Sequence, residues 1–234
     1  MESEKRLSLI EQLIGIVYNP IEVFEDLVKV PRWIFFFSVL ALLSIVLSIA
    51  IWQIPKSADA LKEMVYEQIK KVEQERGIEI PESTIETQLK ISKYAGPIIA
   101  PLSIIILAFL IAGIVYLISY LFLSGKASFL MHFYVVIYSS AISLFNGILY
   151  SFVLIVWGKA EFAISLILFF PFIDEQHWIY PFLENFNLMY LWQMIVVGLG
   201  LKVINQWKTH KGMTVTVSLY VFYVILMGLV KSLF

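Results

Sequence analysis

The stretch Ile98–Leu123, IIAPLSIIILAFLIAGIVYLISYLFL, carries no charged residue across 26 positions. A helix of that length, rising about 1.5 Å per residue, reaches about 39 Å, more than the roughly 30 Å hydrocarbon thickness of a bilayer. No soluble domain buries such a run on all sides at this chain length. Four further stretches read the same way: Trp33–Ile54, Phe129–Trp157, Leu188–Ile204 and Thr214–Val230. His132 is the one side chain in Phe129–Trp157 that titrates near neutrality, and Lys202 stands near the end of Leu188–Ile204. Composition agrees, with 60% hydrophobic and 15% charged residues in 234 and a mean hydropathy of +0.84. A soluble chain is nearer half apolar and a quarter charged.

The expected fold is therefore all-α, a polytopic integral membrane bundle of five transmembrane helices (33–54, 98–123, 129–157, 188–204, 214–230). An interfacial amphipathic segment, 1–32, precedes a membrane domain, 33–234, whose helical extracytoplasmic loop is 55–96. Trp33, Trp52, Trp157 and Trp207 fall at or just beyond span ends, where an amphipathic ring is favoured. Phe162–Ile173 is apolar but too short to span. It is followed by Asp174, Glu175, Gln176 and His177, and reads as re-entrant or interfacial.

In the N-terminal segment Leu9, Ile10, Leu13, Ile14 and Val17 recur at helical spacing. Asn19-Pro20-Ile21-Glu22 then reads as a helix start, with Asn19 as cap, Pro20 at the first position and Glu22 reaching back. Phe24, Leu27 and Val28 form the apolar face of this second helix. Both helices are expected on the membrane surface. In the outer loop Ser57 is expected to cap a helix that Gly77 ends, and a second helix follows Pro81. The two are expected to extend the first two spans into water.

Charge and motifs exclude more than they assign. Seventeen Lys/Arg against eighteen Asp/Glu leave a net charge of −1, with no basic face for nucleic acid. There is no Cys, which removes disulfides, thiol catalysis and Cys-ligated zinc. No HExxH, phosphate loop or GxSxG occurs. Asp174, Glu175 and His177 are placed to bind a cation at the surface, though a solvated loop is the more ordinary reading. No catalytic, cofactor-binding or metal residue is assigned, and no cofactor or small-molecule substrate is expected. An N-terminus on the cytoplasmic side puts eight Lys/Arg inside and nine outside, seven of the nine in the outer loop. The inner segments are shorter, so their basic density is higher.

The third span holds the most informative pattern. Ser139, Ser143, Gly147 and Ser151 recur every four residues, which aligns small side chains on one helix face and lets another backbone approach. Asn146 adds an amide at mid-span. Helix packing is the first reading of these five residues. A polar path or a homo-oligomer seam is the second.

The order of several segments resembles the Ypt-interacting-protein (Yip) family of small five-pass membrane proteins, in its prokaryotic form. Asn19-Pro20-Ile21-Glu22-Val23-Phe24 with Pro31-Arg32-Trp33 is similar to the family's entry to its first span. Gly125-Lys126-Ala127-Ser128-Phe129 resembles its turn between spans two and three, and Tyr138-Ser139 an aromatic–small pair in span three. Trp192 with Gly198 and Leu199 resembles span four. The chain departs from the family in lacking a proline after Tyr138-Ser139 and in its longer outer loop. The resemblance implies a cytoplasmic N-terminus and an extracytoplasmic C-terminus. Family members in eukaryotes are associated with vesicle traffic and Rab-type GTPases, but no residue here matches a GTPase-binding motif, so that activity is not carried over. The expected function is a non-enzymatic membrane adaptor or organiser in a prokaryotic plasma membrane. Its expected partners are membrane lipids and a second copy or another membrane protein. A small transporter or channel subunit is the alternative.

Overall fold

The computed structural model describes residues 6–160 and 163–233, and among them all regular structure is helical. The helices are α1 (Leu9–Tyr18), α2 (Pro20–Lys29), α3 (Trp33–Gln53), α4 (Pro55–Arg76), α5 (Glu82–Phe122), α6 (Phe129–Trp157), α7 (Tyr180–Asn185), α8 (Leu188–Ile204) and α9 (Lys211–Leu233), with one 3₁₀ turn at Leu166–Phe169. Four are long and apolar enough to cross a membrane: α3, α5, α6 and α9. The fourth expected span is α8, of 17 residues. The chain divides into two compact units.

The first unit takes the described residues up to Ser38, Ile105–Ser143 and those from Ala163 onward. Its α1 opens on a capping box that the opening Ser8-Leu9-Ile10-Glu11 encodes. The Glu11 amide donates to Ser8 Oγ (3.2 Å) and the Ser8 amide to Glu11 Oε2 (2.6 Å). Pro20 starts α2 as expected, but Asn19 makes no side-chain cap. Its side-chain Nδ2 instead donates to Glu22 Oε2 at 2.6 Å.

The face of α2 expected on the membrane is largely inside the protein. Val23, Phe24 and Leu27 are buried, and α2 packs on α8. The reason is a hollow at Gly200, where a Cβ would stand 2.9 Å from the Phe24 ring and 2.5 Å from Val135. Filling it gives the Phe24 ring close van der Waals contact that a loosely packed acyl chain would not match. On α1, Ile10, Ile14 and Tyr18 stay exposed as an outward stripe, which suits an interfacial position.

Helices α8 and α9 form an antiparallel hairpin. Thr216 Oγ1 donates to the Met194 carbonyl (2.7 Å) and Tyr220 OH to the Asn187 carbonyl (2.7 Å). At the closed end the α9 backbone at Met213 lies directly against Gly198. Close helix approach over small residues is the usual solution inside lipid, where apolar burial gives no preference for protein over acyl chain.

The second unit takes Val39–Ile104 and the described residues from Leu144 to 160. Helix α4 starts at Pro55 and ends at Gly77, a left-handed residue with φ 62°. Ser57 is not the cap; its hydroxyl donates to the carbonyls of Ile51 (2.6 Å) and Ile54 (3.0 Å). Val65, Ile69 and Ile85 close a small core with Ile80 and Leu89, so the outer loop is a helical hairpin. The second of its helices does not stop at the membrane. Helix α5 runs 41 residues through Pro97 and Pro101, about 60 Å at 1.5 Å per residue, twice a hydrocarbon core. Lys56 donates its ammonium to the Val156 carbonyl in the last turn of α6, as a cation at a helix C-terminus should.

Residues 163–187 hold only the 3₁₀ turn and α7, and no spanning helix. Phe162, the expected start of the re-entrant or interfacial stretch, lies outside the described residues.

Gly200→Leu should lower stability by about 1–3 kcal/mol through overpacking against Phe24 and Val135. Gly113→Leu, where nothing lies within 4 Å of an added Cβ, should be near neutral. Unfolding by SDS in mixed micelles measures both, and equal losses would contradict the α2–α8 packing.

Candidate functional site

The polar side chains of α6 fall in both units. In the first unit Ser139 and Ser140 are buried and bond within their own helix, to the carbonyls of Val135 (2.8 Å) and Val136 (2.9 Å). Such i→i−4 bonds remove the cost of a hydroxyl in hydrocarbon without needing another helix. Ser143 differs. Its Oγ donates to Gln193 Oε1 of α8 at 2.6 Å. In the second unit Ser151 donates to the Gly147 carbonyl at 2.7 Å, and Gly147 faces open space. Asn146 is half-buried, and its side-chain amide has no hydrogen-bond partner among the described residues. Three of the five singled-out residues, Ser139, Gly147 and Ser151, are thus accounted for within α6, Asn146 is unpartnered among the described residues, and Ser143 alone of the five ties two helices together.

Sequence reading missed a second polar centre, also in the first unit. Gln12 of α1 and Tyr138 of α6 are fully buried. Gln12 Nε2 donates to Asp26 Oδ2 of α2 at 2.7 Å, and Tyr138 OH points to Gln12 Oε1 at 3.5 Å. Phe36 of α3 stacks on Tyr138, with ring centroids 3.9 Å apart and an interplanar angle of 10°. One turn earlier Trp33 stacks on Tyr134 at 5.7 Å, so it packs on protein as well as marking a span end. The signal for this centre was present in the sequence: Gln12 is a lone amide in the apolar run Leu9–Val17.

A third cluster joins two turns of the first unit. Asn205 Oδ1 accepts from the amides of Lys126 (2.9 Å) and Ala127 (3.0 Å). Lys211 donates to the Leu123 carbonyl just past α5 and lies 4.6 Å from the Trp207 ring centroid. Lys211, one of the eight basic residues that a cytoplasmic N-terminus places inside, therefore also caps a helix. His132 Nδ1 lies 2.8 Å from the Ser128 carbonyl, its ring edge-on to Tyr116 at 5.4 Å.

Among the described residues no group of three or more His, Asp or Glu side chains is placed to hold a metal ion. Asp174, Glu175 and His177 form no such group.

These features define the class: an all-helical membrane protein whose interior polar groups bond mainly to backbone and to one another. The family model of the Yip1 domain matches residues 14–231. The chain belongs to the Yip1 domain family. No curated protein and no solved structure matches the chain.

Gln12→Leu should free the Asp26 carboxylate and the Tyr138 hydroxyl from their amide partner, a loss of about 1–3 kcal/mol. Limited proteolysis should then cut between α1 and α2 faster than in the parent chain while α8 and α9 stay protected. Unchanged cleavage would show that the centre does not hold the N-terminal helices.

Proposed function

We propose that the chain is a five-span, non-enzymatic membrane adaptor or organiser, acting through protein or lipid contacts. Its partner is a second copy or another membrane protein. The N-terminus is cytoplasmic and the C-terminus extracytoplasmic, in a prokaryotic plasma membrane. One observation carries this reading. Segments that resemble the Yip family each sit at a packing seam: Phe24 against Gly200 beside Gly198 and Leu199, Tyr138 toward Gln12, and the turn at Lys126 and Ala127 on Asn205. Residues so used build a platform rather than a reaction centre. The five-span count is supported by the antiparallel hairpin. Where α9 crosses, α8 must cross back beside it. At 17 residues α8 reaches about 26 Å, a little short of a hydrocarbon core, and α2 and α9 cover part of its surface.

The topology has a direct test, since the chain has no cysteine. Ser83→Cys should react with an impermeant thiol reagent on intact cells. Lys126→Cys and Lys208→Cys should react only once the membrane is opened. Equal labelling at Ser83 and Lys208 would remove the five-span reading.

The unpartnered amide of Asn146 favours a second reading, a polar path along α6. Reconstituted vesicles should then pass small polar solutes, and Asn146→Leu should abolish the flux. Absence of flux in the parent chain leaves the adaptor reading standing alone.

A further inference from the structure

The segment between α6 and α8 is tied down as a closed loop. The Leu166 amide donates to the Phe186 carbonyl (3.0 Å) and the Leu188 amide to the Ile164 carbonyl (2.8 Å), so its two ends pair antiparallel at Ser165 and Asn187. Asn187 is also the cap of α8, accepting from the amides of Met189 and Tyr190. On one side α7 is fixed to α9. Phe182 fills the space over Gly228, Glu184 pairs with Lys231 at 2.9 Å, and Phe186 meets Tyr220 edge-on at 5.5 Å.

The other side is bare. Phe169 is 64% exposed, Phe172 80% and Trp178 68%, and the 3₁₀ turn buries no residue. Helices this short have no stability of their own, and three large rings in water would forgo about 1.5–3 kcal/mol each. The roots of the loop fix where it stands, at the end of α8 and beside the last turns of α9, a candidate span. What adjoins that position in a membrane protein is the headgroup zone. Residues 163–187 include Asp174, Glu175 and Glu184 and no Lys or Arg, so attraction to anionic headgroups is absent and the contact is apolar.

We propose that residues 164–187 are a clamped aromatic flap seated in the interfacial layer of the bilayer. Phe169, Phe172 and Trp178 enter the lipid while Asp174 and Glu175 stay in water. The partner is the lipid surface itself, a zwitterionic one serving as well as an anionic one. Aromatic rings favour this layer because they are apolar in body and polar or quadrupolar at the edge. The flap is not a span, because its ends are locked side by side at one end of the α8–α9 hairpin; a re-entrant loop would share those paired ends and differ in the depth its rings reach.

The test uses the full chain in phosphatidylcholine vesicles, with spin labels on Phe169→Cys, Phe172→Cys or Trp178→Cys. Ser83→Cys serves as the water reference and Leu110→Cys, in the apolar half of α5, as the deep one. Collision with oxygen and with a water-soluble nickel chelate should place the three flap labels within about 10 Å of the headgroup boundary, between the two references. That depth should not change when phosphatidylglycerol is added. Chelate access equal to that at Ser83 would overturn the proposal. So would a depth equal to that at Leu110, a depth that appears only with anionic lipid, or line broadening lost on dilution with unlabelled chain, which would mean a second copy covers the rings. Should the labelled variants fail to fold, brominated phosphatidylcholine should quench the parent chain more than Trp178→Phe, and equal quenching would refute the flap.

Discussion

Inside a bilayer no water is available to a polar group, and each one left alone costs several kcal/mol. The arrangement of this chain follows from that constraint. The α8–α9 hairpin is bonded at two levels by side chains donating to backbone carbonyls, Thr216 to Met194 and Tyr220 to Asn187. Ser139, Ser140 and Ser151 each use the carbonyl one turn earlier. Among these α6 serines, Ser143 alone reaches across to another side chain, Gln193. Hydroxyls that bond their own helix solve a local problem, whereas the Ser143–Gln193 bond specifies which helices are neighbours.

Helix ends obey the same accounting. The last carbonyls of a helix lack intrahelical donors, and in this chain lysines supply two of them. Lys56 serves the end of α6 and Lys211 the end of α5. Asn187 serves the opposite need, taking the first amides of α8. A basic residue near a span end thus has a local electrostatic use besides its contribution to orientation, which weakens any count of charges that treats each lysine as free.

Much of the fold was legible because length and apolarity are long-range signals. The helix bounds Phe129–Trp157 and Leu188–Ile204 follow from the apolar runs alone, and Gly77 and Pro81 mark the hairpin. The burial of α2 was not legible. An apolar helix face looks the same whether lipid or protein covers it, because the two are equally apolar. Only the hollow at Gly200, distant in sequence from Phe24, decides between them. The candidate site was legible as a spacing of small residues but not as a set of bonds, since a serine four residues from a carbonyl and a serine facing a glutamine read identically. Gln12 was the converse case. It was visible as an interruption of an apolar face, and its meaning came only with Asp26 and Tyr138 around it.

The placement of the family-like segments bears on what kind of protein this is. A catalytic family carries its recognisable residues to one cleft, where they point at a substrate. Here the recognisable residues lie at three separate seams of the first unit: α2 against α8, the buried Tyr138 centre, and the two turns joined through Asn205. Each seam joins segments distant in sequence, and two of the three fix the N-terminal helices, whose outer stripe of Ile10, Ile14 and Tyr18 remains uncovered. What these residues hold constant is therefore the pose of a surface helix pair on a membrane bundle. On the adaptor reading proposed above, that fixed pose is what a partner would meet, whereas the polar-path reading rests on Asn146, which belongs to none of the three seams.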